Sequence, residues 1–455
     1  MAKRYGTARG ITEGVIWKEA LFFFFPILFG TFFQQLYNTA DAVIVGKYVS
    51  KQALSAVGGS TATYVNLLVG FFVGCSSGGT VLIGQYFGAR DYKATSKALH
   101  TTIALSIVGG AFFMAVGLLT APFMLKVLNT PEDVMPHASA YLNIYFIGMI
   151  PNMVYNFGSG ILRALGDSRR PLYFLIVCCI ANIILDLFFV IGLDMGVKGV
   201  AWATILSQTI SAVMVVTVLV RSHDLIHLDW KQLKMDPHLL KPLFGIGVPA
   251  GLQSVMYSIA NLIIHAHINL FGTDVVAAGT AFSKVDSLFW MLVGAFGITC
   301  STFVAQNIGA KKLDRVYKSI RVTGFECLIM SLSLSVILWV AGPILLRLFT
   351  SDANVLAIGM ELVKALTPWY FTFVLVEIIS GTLRAAGDSF TSMIITATTI
   401  CVFRVIWVYF IAPLNPTSYL MIWYCFPVSW VLSSVVFWIY FKTGRWLKKA
   451  GLNLE

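Results

Sequence analysis

Short polar runs interrupt long apolar stretches of this 455-residue chain, and their spacing puts each on one helix face. Gln34, Tyr37, Asn38 and Asp41 stand at i, i+3, i+4 and i+7, a single stripe that ends in a carboxylate. Asn182 and Asp186 are four apart within CIANIILDLFFVIG. Thr204 and Gln208 share that spacing, as do Asn152 and Asn156, with Tyr141 and Tyr145 preceding the last pair. Two carboxylates among amides and a hydroxyl suit two tasks. They can share a proton, or they can hold a small hard cation through oxygen ligands. The bland alternative is that each Asp caps a helix or pairs near an interface, and Lys47 stands six residues after Asp41. An ionisable side chain kept at the centre of a bilayer costs at least ~2.5–3.5 kcal/mol, so function is its default reading. Asp186, apolar on both sides, is the stronger candidate of the two.

The elements that position these residues follow from composition. The chain is 58% hydrophobic and 12% charged, against roughly 45–50% and about 25% for a soluble protein. Too few polar residues remain to coat a water-facing surface of this size, so lipid is the main solvent. That excludes a soluble enzyme, a nucleic-acid binder and a secreted scaffold. The expected fold is all-α and integral to the membrane, with twelve transmembrane helices in two six-helix lobes. Spans are expected at 17–45, 53–85, 95–120, 136–163, 171–192, 197–220, 240–271, 276–306, 316–342, 357–384, 390–411 and 418–441. The first lobe is 17–220, a linker runs from 221 to 239, and the second lobe is 240–441. Residues 1–16 and 442–455 are the tails. The first apolar run exceeds a signal peptide in length and lacks a small-residue cleavage site, so it reads as a retained first span.

Most of the 32 Lys and Arg residues alternate onto one side of these spans, including Lys3, Arg4, Arg90, Arg170, Lys231, Lys311 and Lys449. By the positive-inside rule both termini are cytoplasmic, and anionic headgroups of the bilayer are the partner of the basic surplus. The seven cysteines all lie in apolar stretches without CxxC spacing and read as packing residues. His223, Asp224, His227 and Asp229 cluster in the linker and read as a solvated segment rather than a metal site.

Self-comparison exposes a duplication. Gln85-Tyr-Phe-Gly-Ala89 recurs as Gln306-Asn-Ile-Gly-Ala310, and Gly160-Ile-Leu-Arg163-Ala-Leu-Gly166-Asp167-Ser recurs as Gly381-Thr-Leu-Arg384-Ala-Ala-Gly387-Asp388-Ser. Both pairs share one offset, 221 residues. Six spans per copy give both halves the same orientation in the bilayer, and such parallel repeats place substrate near the midplane between them. The repeated motifs fall at cytoplasmic span ends and read as structural hinges.

The second half departs from the first. Gln253, Tyr257, Asn261 and His265 repeat the polar stripe without a carboxylate, with Met256 beside them. Its charged residues are Glu377 and Arg404, which map by the repeat onto Asn156 and Ile183 and are therefore expected to pair, as a lobe brace or as a site facing substrate. Lys284 and Asp286 read as interfacial. The run Gly245-Ile-Gly247-Val-Pro-Ala250 mimics a dinucleotide fingerprint, but no strand precedes it and Pro249 stands inside it. No phosphate loop or hydrolase motif is present. Transport energy is thus expected from an ion gradient, with no catalytic residue, nucleotide or nucleic acid involved.

The duplicated six-span unit, QxxGA after the second span of each half and GxLRAxGDS after the fourth resemble the multidrug and toxic compound extrusion (MATE) family. The resemblance covers about residues 15–441. It implies that Asp41, Asn182, Asp186 and Thr204 are similar to the proton and sodium site in the amino-terminal lobe of the DinF-like branch. It also implies that Pro26 is the proline at which the first helix bends. A NorM-like site would need acids on the seventh and tenth spans, whereas the seventh here has none and Glu377 lies near the cytoplasmic end of the tenth. The implied protein is a monomeric antiporter of the bacterial cytoplasmic membrane, exporting small organic cations against protons or sodium, with no other cofactor and no resident metal. Its cavity is expected to be lined by Gln34, Tyr37, Asn156, Gln208, Gln253, Tyr257 and Asn261. A flippase for lipid-linked precursors shares the architecture and is the alternative.

Overall fold

The computed structural model describes residues 11–222 and 226–451; His223 and Asp224 of the linker cluster lie outside them. Every long element is a helix, as a bilayer requires, because only a helix or a closed barrel satisfies all backbone polar groups where water is absent. Among the described residues, eleven helices are long and apolar enough to cross a membrane. The remaining expected span, 136–163, forms as two consecutive helices, Met135–Ile147 and Met149–Ala164, of 13 and 16 residues, meeting at Gly148. Each is shorter than a span, and together they carry Asn143, Asn152 and Asn156. Outward faces are apolar: Leu119, Val340 and Phe410 are 81%, 77% and 73% exposed, acceptable only against lipid.

The repeat holds at the level of individual hydrogen bonds. After the second and eighth spans, the amides of Ala89 and Ala310 donate to the carbonyls of Gln85 and Gln306, at 2.9 Å in both copies. The next residues, Arg90 and Lys311, take φ of 60° and 57°. After the fourth and tenth spans, Gly166 and Gly387 adopt φ of 92° and 83°, a conformation that glycine enters without steric cost. Asp167 then accepts from the amides of Arg169 and Arg170, each at 3.1 Å, and caps the fifth span. Asp388 has diverged: buried, it accepts from Thr391 Oγ1 at 2.7 Å, from Tyr440 OH and from Lys449 Nζ.

The described residues fall into two compact units, 25–251 in one and 11–24 with 252–451 in the other. Sequence reasoning put the division in the 221–239 linker, whereas the changeovers lie inside the first and seventh helices, beside Pro26 and Pro249. The packing gives the reason. In the second unit, Phe24 stacks on Phe296 with centroids 3.9 Å apart. Arg315 Nη2 donates to the carbonyls of Ile11 and Gly14 at 2.8 and 3.0 Å. In the first unit, the opening of the seventh helix lies directly on the second span. A β-carbon on Gly74 would sit 2.4 Å from Gly251 Cα, and one on Gly78 would sit 2.3 Å from the Leu243 carbonyl oxygen. Gly74, Gly78, Gly247 and Gly251 therefore form two small-xxx-small faces in backbone contact. The glycines of the dinucleotide-like run serve this close approach.

Among the described residues, two spans carry π turns. The fifth continues from Arg169–Asp186 into a π turn, Leu187–Gly192. The eleventh contains two, Ala397–Val402 and Trp407–Ile411, on either side of Phe403–Ile406. For topology, reporter fusions after residue 455 and within 44–52 are expected to report opposite compartments, the former cytoplasmic. The same compartment for both would overturn the twelve-span reading.

Candidate functional site

In the first unit, Asp41, Asn182, Asp186 and Thr204 come together from three spans. All four are buried, at 4%, 0%, 0% and 3% exposure. Thr204 Oγ1 donates to Asp41 Oδ2 at 3.3 Å, and to the Val200 carbonyl at 2.9 Å. Asp186 and Asn182 lie against the Asp41 carboxylate. Even so, Asp41 Oδ1, both Asp186 oxygens and both Asn182 amide atoms have no partner at hydrogen-bond geometry. A buried polar atom without a partner costs about 1–3 kcal/mol, more when it carries charge. Four side chains converging in this way offer oxygen ligands suited to a proton or a small hard cation. Among the described residues, no group of three or more His, Cys, Asp and Glu forms a transition-metal site.

The polar network continues beside the carboxylates. Asn152 Nδ2 donates to Gln208 Oε1 at 3.1 Å, and Asn156 Nδ2 donates to Asn152 Oδ1 at 2.8 Å. Tyr37 and Tyr145 face Gln208. The rings of Tyr141 and Tyr145 stack 5.9 Å apart at 20°. The first-span stripe does not act as one set: Tyr37 and Asp41 are buried, Gln34 is half-buried, and Asn38 is exposed, donating to Gln35 Oε1 at 3.4 Å. Only the Tyr37–Asp41 edge joins the site.

The second unit overturns one pairing. Glu377 does not meet Arg404; its Oε1 accepts from Arg384 Nη2 at 3.2 Å. Arg384, seven residues on, shares a helix face with it, and Gly297 leaves the room, since a β-carbon there would sit 2.1 Å from Glu377 Oε1. In the first half Asn156 replaces the acid. Arg404, 1% exposed, donates from Nε to Ser429 Oγ at 2.9 Å and lies 4.3 Å above the Phe426 ring. Gln253 Nε2 donates to Thr396 Oγ1 at 2.9 Å; Met256, Tyr257 and Asn261 are part-buried near it on the same helix. Breaking the Glu377–Arg384 pair strands a largely buried charge at about 3 kcal/mol. Glu377→Lys should therefore lower thermal stability and be partly rescued by Arg384→Glu but not by Arg404→Glu. Equal rescue by both would count against the pair.

Sequence reasoning missed two acids. Asp286, read as interfacial, accepts from Trp290 Nε1 at 2.7 Å and from Tyr370 OH, inside an aromatic group where Tyr370 stacks on Phe289 at 3.9 Å. The Trp four residues on was a usable signal. Glu326, unweighed in the sequence, sits within the ninth span with both carboxylate oxygens buried and unpartnered. A lone acid in TGFECLIM was the signal there.

The MatE family profile matches this chain twice in succession, over residues 26–188 and 249–410. The chain belongs to the MatE family. It is therefore a membrane transporter and not an enzyme. Among curated relatives, "Probable multidrug resistance protein YoeA" of Bacillus subtilis is 29% identical over 95% of each chain. "Probable multidrug resistance protein NorM" of Thermotoga maritima is 25% identical over 96% of this chain and 95% of its own. The fold matches a crystal structure titled as MATE in the bent conformation, with TM-score 0.89, 19% identity and coverage of 98% and 99%. It also matches an outward-facing multidrug resistance MATE family transporter, with TM-score 0.90, 19% identity and 98% of each chain covered.

Proposed function

We propose that this MatE-family protein exports aromatic organic cations by alternating access, in exchange for protons or sodium ions entering at Asp41 and Asp186. The observation that carries the reading is the convergence of two buried carboxylates with Asn182 and Thr204, most of whose polar atoms lack protein partners. Ionisable residues kept inside membrane spans mark ion pathways and proton relays by default. The DinF-like assignment rests on the same four residues. The adjoining walls fit the cargo: Tyr37, Tyr141 and Tyr145 offer π-faces, and Asn152, Asn156 and Gln208 offer amide oxygens. With no dense cluster of opposite charge, recognition is loose and polyspecific. The multidrug names of the curated relatives agree with this cargo.

The test is efflux of a fluorescent organic cation from proteoliposomes under imposed proton or sodium gradients, with a lipid-scrambling assay alongside. Uphill movement driven by either gradient is expected. Movement of lipid without movement of dye would replace the reading with a flippase.

A further inference from the structure

By the 221-residue repeat, Arg404 corresponds to position 183, inside the helical turn that bears Asn182 and Asp186. The two halves share an unusual local backbone there. A π turn begins directly after Asp186, and π turns flank the short helix Phe403–Ile406. Such turns are rare and concentrate at functional sites. The halves therefore keep the distortion and invert the charge: acids in the first, a guanidinium in the second.

The surroundings of Arg404 leave part of its donor set unused. Its Nε is bonded to Ser429, but Nη2 has no partner. Among the described residues, no carboxylate lies within ion-pair distance of it. Asp286, the acid whose field reaches it, is already engaged by Tyr370 and Trp290. Trp430 Nε1 and Ser433 Oγ, on the same helix as Ser429, are further buried donors without acceptors. At Arg404 itself one guanidinium nitrogen is a buried donor without an acceptor. That is the arrangement an oxyanion completes, because a planar guanidinium fork matches a carboxylate.

We propose that Arg404 is an anion-binding centre of the second half and takes the carboxylate of zwitterionic aromatic substrates. The Phe426 face under the guanidinium fixes its plane. The assignment rests on the drug-export reading and adds to its cargo aromatic cations that also bear a carboxylate. Because Arg404 is 1% exposed, the eleventh span must shift for a ligand to reach it, and π turns are where helices kink.

The test uses a matched pair of xanthene dyes, the free acid (a zwitterion at neutral pH) and its methyl ester (a monocation). Binding to the purified full-length protein is read by fluorescence anisotropy. Wild type is expected to bind the acid at least about tenfold more tightly than the ester. Arg404→Gln should erase this preference by weakening the acid alone, and Arg404→Lys should keep part of it. Free benzoate should displace the acid from wild type and leave the ester bound, a result that needs no variant to fold. Ester binding without preference for the acid, or equal losses of both dyes in Arg404→Gln, would overturn the anion site while leaving cation export standing. Failure of wild type to bind either dye would overturn both.

Discussion

Asp186→Asn is expected to reduce gradient-driven export to the level of protein-free vesicles. The amide keeps the volume and polarity of the side chain but neither takes up a proton nor offers a negative charge to a cation. Asp41→Asn should behave alike, because the two carboxylates lie against each other and the exchanging ion serves both. Thr204→Ala removes the hydroxyl that donates to Asp41 Oδ2 at 3.3 Å and to the Val200 carbonyl at 2.9 Å. Its loss should be partial, about 1 kcal/mol or roughly fivefold. Asn38→Ala, on the exposed side of the same helix, should leave export near wild type. Dye–dye counterflow without an ion gradient distinguishes lost coupling from lost folding. It should persist in Asp186→Asn, and uphill export by that variant would remove Asp186 from the ion site.

The parts legible in the sequence were those set by local periodicity and by the repeat. Apolar length located the helices, and the i, i+4 spacing of Asn182 and Asp186 placed both on the face that meets Asp41. The glycines of the duplicated motifs fixed turns whose backbone hydrogen bonds agree, while the side-chain contacts of the acids after them have diverged. What stayed illegible depends on contacts distant in sequence. Asp286 reads as interfacial until Tyr370, 84 residues away, is seen to bond it. The partner of Glu377 could not be read from the repeat, which identified two residues that differ between halves but not the Arg384 that both halves share. Within the first-span stripe Tyr37 and Asp41 are buried and Asn38 is exposed, a difference that helical spacing alone does not give. The π turns and the glycine-lined crossing have no sequence signature of their own, since each is fixed by the helix packed against it.

Affinity for an organic cation is expected to weaken as pH falls, and to weaken as sodium rises if sodium is the coupling ion. The sign follows from linkage. A proton or sodium ion at Asp41 and Asp186 removes negative charge from a site bordered by the tyrosines and amides that would hold the cargo. Cargo binding must then favour ion release, and by reciprocity the ion must weaken cargo binding. For one proton exchanged per cation, the slope is at most about tenfold in affinity per pH unit, confined to the range where the pair titrates. Asp41→Asn should reduce the dependence, because it removes one of the two carboxylates to which the proton or sodium ion binds. Titration calorimetry in buffers of different ionisation enthalpy would count the protons released per cation bound. A flat response to both pH and sodium would end the antiport reading even if the dye binds tightly, because a ligand that leaves ion occupancy unchanged cannot be driven by the ion's gradient.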